Sequence, residues 1–234
     1  MVPARELTSA RRALLELVAA RVPARSDCGV RVAVDGVDGA GKTVFADELA
    51  DVLLAAGRSA VRVTVDAFHQ PRAVHHRRGR DSPEGFWLDS YDYSALQDRV
   101  LRPFGPGGSL RYRAACHDLA SDQRQDPPVH EATPGTIVVL DGVFLHREEL
   151  AGCKDLSVFL HVPFAVSVPR MAGRDGSHPD PDHPSVARYV KGQQIYLDLC
   201  QPWDRADLVI DGPTWMPRPC AVPADEARPQ HAAG

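Results

Sequence analysis

A chain of 234 residues with 44% apolar and 25% charged side chains can bury one sizeable domain with an appended lid or tail, and is too ordinary in composition for a fibrous or disordered class. Its 31 acidic and 27 basic residues leave a net charge of −4, which gives no bulk argument for nucleic-acid or membrane partners; no apolar run is long enough to span a bilayer. Five cysteines (Cys28, Cys116, Cys153, Cys200, Cys220) are odd in number and never spaced C-x-x-C, which argues against a disulfide framework or a zinc site. Arg11, Arg12 and Glu16 interrupt the first apolar residues, so no signal-peptide pattern is present and the cytoplasm is expected.

In chain order, Ala4 to Val22 reads as an amphipathic helix with a stripe of Leu7, Leu14, Leu15, Leu17 and Val18, ended by Pro23. After a turn at Ser26 to Gly29, the β-branched run Val30 to Val34 reads as a buried strand. It leads into Gly36-x-x-x-x-Gly41-Lys42-Thr43, and a helical pattern follows from Val44 to Leu54. Strand, glycine loop and helix together are the setting a phosphate-binding loop requires. Gly36, Gly39 and Gly41 allow backbone conformations in which successive N–H groups surround an anion, and the helix N-terminus adds its unpaired amides and dipole. Lys42 would reach the β- and γ-phosphates, and the Thr43 hydroxyl would ligate magnesium. Gly36, Asp38, Gly39, Ala40, Gly41, Lys42, Thr43 and Val44 are thus the candidate contacts to a nucleoside triphosphate, with ATP and Mg2+ as the expected cofactors.

Gly57 caps that helix, and Ala60 to Val65 is the second strand, ending in Asp66-Ala67-Phe68-His69. Ligands of open α/β sheets sit beyond the carboxyl ends of the strands, which places Asp66 as a catalytic and metal candidate, although an Asp there can also simply cap a turn. Gln70 to Gly85 carries Arg72, His75, His76, Arg77, Arg78 and Arg80 among breakers and reads as a long basic loop, either a solvated face or an anion-facing rim. Asp89 to Tyr93 precedes a short helix from Ser94 to Phe104, and Ser109 to Asp118 alternates as a half-buried hairpin strand. Ser121 to Gly135 is a polar surface connection. Thr136 to Gly142 is a third buried strand, whose Asp141 would hold magnesium directly or through water. Leu156 to Val162 is a fourth. Pro163 to Arg174 reads as a helix that Pro169 kinks or begins.

Asp175 to Pro184 is too rich in breakers to be regular and resembles a mobile lid, spanning about residues 174–186. Its His178, Asp180, Asp182 and His183 could hold a metal in principle, but prolines and glycines crowd them and no supporting shell is evident. Val186 to Leu199 is the last helix and Ala206 to Asp211 the last strand; the proline-rich, charged stretch 213–234 is expected to be a disordered tail on a single domain of residues 1–212. Alternating strands and helices with the glycine loop after the first strand give an α/β fold, a central parallel sheet flanked by helices.

An ordered series then resembles the uridine kinase and phosphoribulokinase branch of the P-loop kinases across roughly Val30 to Asp211. The series is Asp-Gly-x-x-Gly-x-Gly-Lys-Thr, Asp66-Ala-Phe68-His69, Asp141-Gly-Val-Phe, Arg170-x-x-x-Arg174-Asp175, Tyr189 through Cys200, and the terminal Ala-Asp-Leu-Val-Ile strand. The resemblance implies a P-loop NTPase fold with a β-hairpin substrate region and a lid. It implies Asp66 as catalytic base and magnesium neighbour, Asp141 serving magnesium, and Arg170 and Arg174 as lid arginines on the phosphates. Tyr112 and His117 resemble an aromatic and a histidine that contact a nucleoside base, and Asp89 resembles an acid that grips ribose hydroxyls. His69 stands where uridine kinases usually carry Tyr, and the Arg72 to Arg80 insertion and the Ala114-Ala115-Cys116 stretch depart from that pattern, which bears on the substrate.

The expected activity is transfer of the ATP γ-phosphoryl group to a hydroxyl of a small molecule, with uridine or cytidine as first choice. A phosphorylated sugar, a pantothenate-like acid or a nucleoside antibiotic are the alternatives, as is an ATPase switch without an acceptor. Catalytic candidates are Asp66, Lys42, Arg170 and Arg174; acceptor candidates are His69, Asp89, Tyr112 and His117; metal candidates are Thr43, Asp66 and Asp141. No nucleic-acid or membrane partner is expected, and a homo-oligomer is an open option.

Overall fold

Val30–Gly36 (β1) is buried at all seven positions, as a strand must be when sheet neighbours flank it and helices cover both faces. In the computed structural model, which describes residues 7–212 and the backbone of 216–217, β1 lies between Ile137–Gly142 (β3) and Leu156–His161 (β4), parallel to both. Ala60–Thr64 (β2) pairs with β3 at one edge, and Leu208–Asp211 (β5) pairs with β4 on the other side. Met216–Pro217 (β6) adds an antiparallel strand to β5, so the order is 6-5-4-1-3-2. The five parallel strands point their carboxyl ends the same way, which gathers the ends of β1, β2 and β3 at one rim.

Ser9–Arg21 (α1) and Lys42–Ala55 (α2) cover one face. Phe45, Leu49 and Leu53 recur every fourth residue of α2 and are fully buried against Val30, Val32 and Val139; each such side chain contributes about 1.5–3 kcal/mol of burial. Of the expected α1 stripe, Leu14, Leu15 and Val18 are buried, whereas Leu17 is 42% exposed and belongs to the outer face. Thr8 caps the helix by accepting from the Arg11 amide. The other face is aromatic, with Phe68, Phe86, Trp87, Tyr91, Phe104, Phe144 and Tyr196 in one cluster.

Three expectations need correction. The stretch 70–85 is not one loop: Arg72–His75 forms a helical turn, and Pro83–Asp89 (α3) is a helix capped by Ser82, whose Oγ accepts from the Gly85 amide at 3.0 Å. The residues that read as breakers are here helix starts, since Pro at the first position loses no bonded amide and Ser is a good cap. Ser109 to Asp118 is not one hairpin strand. Arg111–Tyr112 pairs with His130–Glu131, and His117–Asp118 pairs with Gln123–Arg124, so the supposed surface connection supplies both partners. Of the tail expected over 213–234, the backbone of Met216–Pro217 is a strand; the rest lies outside the described residues.

Phe164–Asp175 (α4) runs helical through Pro169, which lies with Ala165 on the exposed side of the helix. The segment 176–183 is irregular, and Ala187–Cys200 (α5) follows. Gly192 lets α5 lie close on α3: a Cβ there would stand 2.8 Å from both the Pro83 carbonyl oxygen and the Phe86 ring.

Candidate active site

The glycine loop joins β1 to α2 at the rim. Gly39 has φ +76°, and a Cβ there would meet the Ser167 carbonyl oxygen at 2.1 Å, so no other residue fits between loop and α4. Gly41, at φ 89°, begins α2 with no side-chain cap, which leaves the first helix amides to the loop's interior. Beneath the loop, Asp35 is completely buried. Its Oδ1 accepts from the Gly36 amide at 2.7 Å; its Oδ2 accepts from the Leu145 amide at 3.0 Å, from His146 Nδ1 at 2.7 Å and from the Tyr196 hydroxyl. The Asp38 amide donates to Gln193 Oε1 at 2.6 Å, so α5 holds the loop from the side. Lys42 Nζ lies 2.9 Å from the Val37 carbonyl and 3.8 Å from Asp38. Burial in the cleft pushes the Asp38 carboxyl up, with Lys42 opposing. Ala40 is buried and Val44 is 52% exposed at the head of α2.

The Thr43 hydroxyl donates to Asp141 Oδ2 at 2.7 Å, and Arg62 Nη2 donates to Asp141 Oδ1 at 2.8 Å. Thr43, Asp141 and Asp66 offer only oxygen, the donor set that suits a hard divalent cation such as magnesium. The residues present therefore fit the nucleotide–magnesium pair. By contrast, His178 and His183 stack with ring centres 3.7 Å apart, and among the described residues no three His, Cys, Asp or Glu side chains gather as a metal site.

Asp66 sits in the 3-10 turn Val65–Phe68 directly after β2, with its amide donating to Thr64 Oγ1 at 3.3 Å. Tyr91 donates its hydroxyl to Asp66 Oδ1 at 3.1 Å. Burial and the nearby Asp66 charge raise the Tyr91 hydroxyl well above its ordinary range, so it remains a donor. Asp66 and Asp38 line one cavity of about 580 Å³, together with His69, Phe86, Tyr91, Arg174 and Tyr189. Arg174 therefore meets the site, 3.5 Å from Asp175. Arg170, one turn earlier on α4, is exposed and lines neither this cavity nor the next.

A second cavity of about 400 Å³ is lined by Gln70, Asp92, Arg99, His117 and Arg124 and shares His69 with the first. His69 Nδ1 faces the Ser90 carbonyl at 3.1 Å, so it carries the proton, and burial lowers the ring's pKa. His117 Nε2 is 3.1 Å from Asp122 Oδ1. The other two acceptor candidates are turned away. Tyr112 packs on Phe104 at 5.1 Å and His130 at 5.3 Å and lines neither cavity. The Asp89 carboxylate is wholly buried between Arg77 and Arg78, the latter at 2.9 Å. That pairing occupies the basic stretch internally: Arg72, Arg77, Arg78 and Arg80 line neither cavity. His75 accepts from Arg188 Nη2 at 2.6 Å, and burial, then Arg188, holds its pKa down at about 4.

Sequence reasoning missed Asp35, Arg62, Tyr91 and Gln193. For Asp35 a signal existed: a lone acid in a strand otherwise reading as fully buried must have partners. The others are set by tertiary contacts 25 to 155 residues apart in sequence.

No family model matches the chain, and no curated protein matches it. Solved structures do. A possible uridine kinase from Bacillus stearothermophilus superposes with a TM-score of 0.67 at 22% identity, over 86% of this chain and 97% of that one. A candidate fructose transport system kinase from Silicibacter sp. TM1040 gives 0.64 at 24% identity, over 82% and 95%. D-glycerate 3-kinase from Cryptococcus neoformans gives 0.53 at 11% identity, over 92% and 99%. These likenesses show that the chain has the P-loop kinase fold, a parallel sheet flanked by helices with the glycine loop after its first strand.

Proposed function

We propose that the chain is an ATP-dependent kinase that transfers the γ-phosphoryl group to a hydroxyl of a small neutral acceptor, in first place the 5′-hydroxyl of uridine or cytidine. The observation that carries this reading is the shared cavity of Asp66 and Asp38, with Asp38 3.8 Å from the Lys42 ammonium: a carboxylate faces the loop across a space that can hold an alcohol. An ATPase switch would need no such space. Acceptor charge follows from the lining. Asp38, Asp66 and Asp175 stand against the single guanidinium of Arg174 there, which disfavours a phosphorylated sugar or a carboxylic acid. Of the basic stretch, which would have favoured an anion, Arg77 and Arg78 are paired with Asp89, and Arg72 and Arg80 line neither cavity.

Phosphoryl transfer passes through a loose transition state, so positioning and electrostatics dominate. Magnesium, when bound, neutralises charge on the phosphate oxygens; Thr43, Asp66 and Asp141 are the residues to serve it. Lys42, the amides of Gly39 to Thr43 and Arg174 surround the phosphates. Tyr91 holds Asp66 by Oδ1, which leaves Oδ2 to accept from the acceptor hydroxyl. Removing that proton in advance would cost roughly 15 kcal/mol, from a carboxylic acid pKa near ~4 and an alcohol near ~15. Asp66 therefore orients the hydroxyl and takes its proton late. His69 and His117 stand where the remainder of the acceptor enters the second cavity.

A phosphotransfer screen with ATP and magnesium against nucleosides, pantothenate, free sugars and sugar phosphates, read as an 80 Da mass gain (the mass of one HPO3 unit, about 80 Da by composition), tests the reading. Gain on a nucleoside supports it. Hydrolysis of ATP unaffected by every alcohol would favour the switch.

A further inference from the structure

Asp141 is buried to 2% exposure and both of its oxygens are engaged. Oδ2 accepts from the Thr43 hydroxyl, and Oδ1 from Arg62. Arg62 belongs to the edge strand β2, where it is in register with Val139 of β3. Its guanidinium is fixed on three sides: Nε to Asp47 Oδ1 at 2.8 Å, Nη1 to the Val139 carbonyl at 2.5 Å, and Nη2 to Asp141 at 2.8 Å. A planar fork with this many acceptors is pre-organised, and its charge cannot be removed by pH. A divalent cation placed directly on Asp141 would sit beside this fixed positive charge, in a site where water is scarce and repulsion is strong.

We infer that Arg62 is a positioning residue. It holds Asp141 as the proton acceptor of Thr43 and cancels its charge, so that the Thr43 oxygen, rather than Asp141, is the side-chain ligand that the loop offers to magnesium. The Thr43 proton is committed to Asp141, which turns the hydroxyl lone pairs away from that carboxylate. Asp47, the third member of the group, is 60% exposed and screened by water, so the buried Arg62–Asp141 pair is the part that counts; its net charge is zero, and magnesium is held more loosely than an unpaired Asp141 would hold it. A kinase that must exchange magnesium–nucleotide each cycle gains a weaker grip on its product. This inference rests on the nucleotide-site reading proposed above.

The test is the Mg2+ concentration that gives half-maximal binding of a non-hydrolysable ATP analogue, measured by calorimetry on the full chain. Arg62→Met leaves the pair at −1 and is expected to lower that concentration about fivefold, the small end of the range typical of coupled sites. Asp141→Asn leaves it at +1 and is expected to raise it. The double variant restores neutrality and is expected to return to within about twofold of the unaltered chain. A double variant as weak as Asp141→Asn alone would make Asp141 a direct ligand and overturn the inference, as would an unchanged Mg2+ requirement in Arg62→Met. The double variant buries no uncompensated charge, so it keeps the question open to measurement if Arg62→Met fails to give a cooperative melt. An unaltered chain that binds no nucleotide with or without Mg2+ overturns the function as well, which separates the two failures.

Discussion

Replacing Asp35 by alanine leaves four buried donors without an acceptor: the Gly36 and Leu145 amides, His146 Nδ1 and the Tyr196 hydroxyl. Orphaning a buried donor costs about 1–3 kcal/mol, so four at the lower limit sum to about 4 kcal/mol. A domain of this size has only about 5–15 kcal/mol in total and loses roughly 2–4 °C of melting temperature per kcal/mol. Asp35→Ala should therefore melt about 8–16 °C lower. Asp35→Asn keeps the volume and one acceptor but turns an amide NH2 toward donors, and should fall between the two. Thermal and urea unfolding of the three proteins measure this directly. A loss under about 1 kcal/mol for Asp35→Ala would mean that the four donors find water or other partners, and would refute the claim that this carboxylate holds the loop from beneath.

Asp66→Asn is expected to bind ATP as before while turnover falls by on the order of 10²–10⁴, the usual worth of a positioned proton acceptor; calorimetry and phosphotransfer on the same preparation separate the two. Tyr91→Phe removes one hydrogen bond from Asp66 and should lower kcat about tenfold with the KM for ATP unchanged, as seen in steady-state kinetics. His75 is held at about 4 in the fold, against 6.5 for an ordinary histidine. The unfolded chain therefore takes up a proton first as pH falls, and stability should be lost between about pH 6.5 and 4 and be unaffected by this group above 6.5. His75→Gln should flatten that part of the stability profile in urea titrations at a series of pH values.

The parallel strands and the loop were legible because each is a local pattern: Val30 to Val34 is apolar apart from Arg31, Ile137 to Leu140 is an unbroken apolar run, and the glycine spacing is short. The parallel sheet and the place of Asp66 after β2 followed from the same elements, whereas the strand order 6-5-4-1-3-2 did not, because pattern alone does not say which strands pair. What escaped was set by distance or by competition. Tyr112 alternates correctly for a strand, but the strand is two residues long, and its ring is claimed by Phe104 and His130. Asp89 has the right chemistry for a ribose and is consumed by arginines 11 and 12 residues away. Pro83 reads as a breaker because its role at a helix start depends on the Ser82 cap beside it. Arg62 is invisible in sequence, since its meaning lies in the register of β2 on β3.

Helix α5 touches three different parts of the molecule: Arg188 reaches His75 and the Arg80 carbonyl, Gln193 the Asp38 amide, and Tyr196 the Asp35 carboxylate. The 3-10 turn Pro184–Val186 joins it to the irregular segment 176–183. A single rigid rod thus carries the wall of the acceptor cavity, the flank of the phosphate cradle and the cradle's foundation. A displacement of this helix along its axis would reach all three contacts together, like cams on one shaft. Under the kinase reading proposed above, one helix would thus link the acceptor side of the site to its phosphate side.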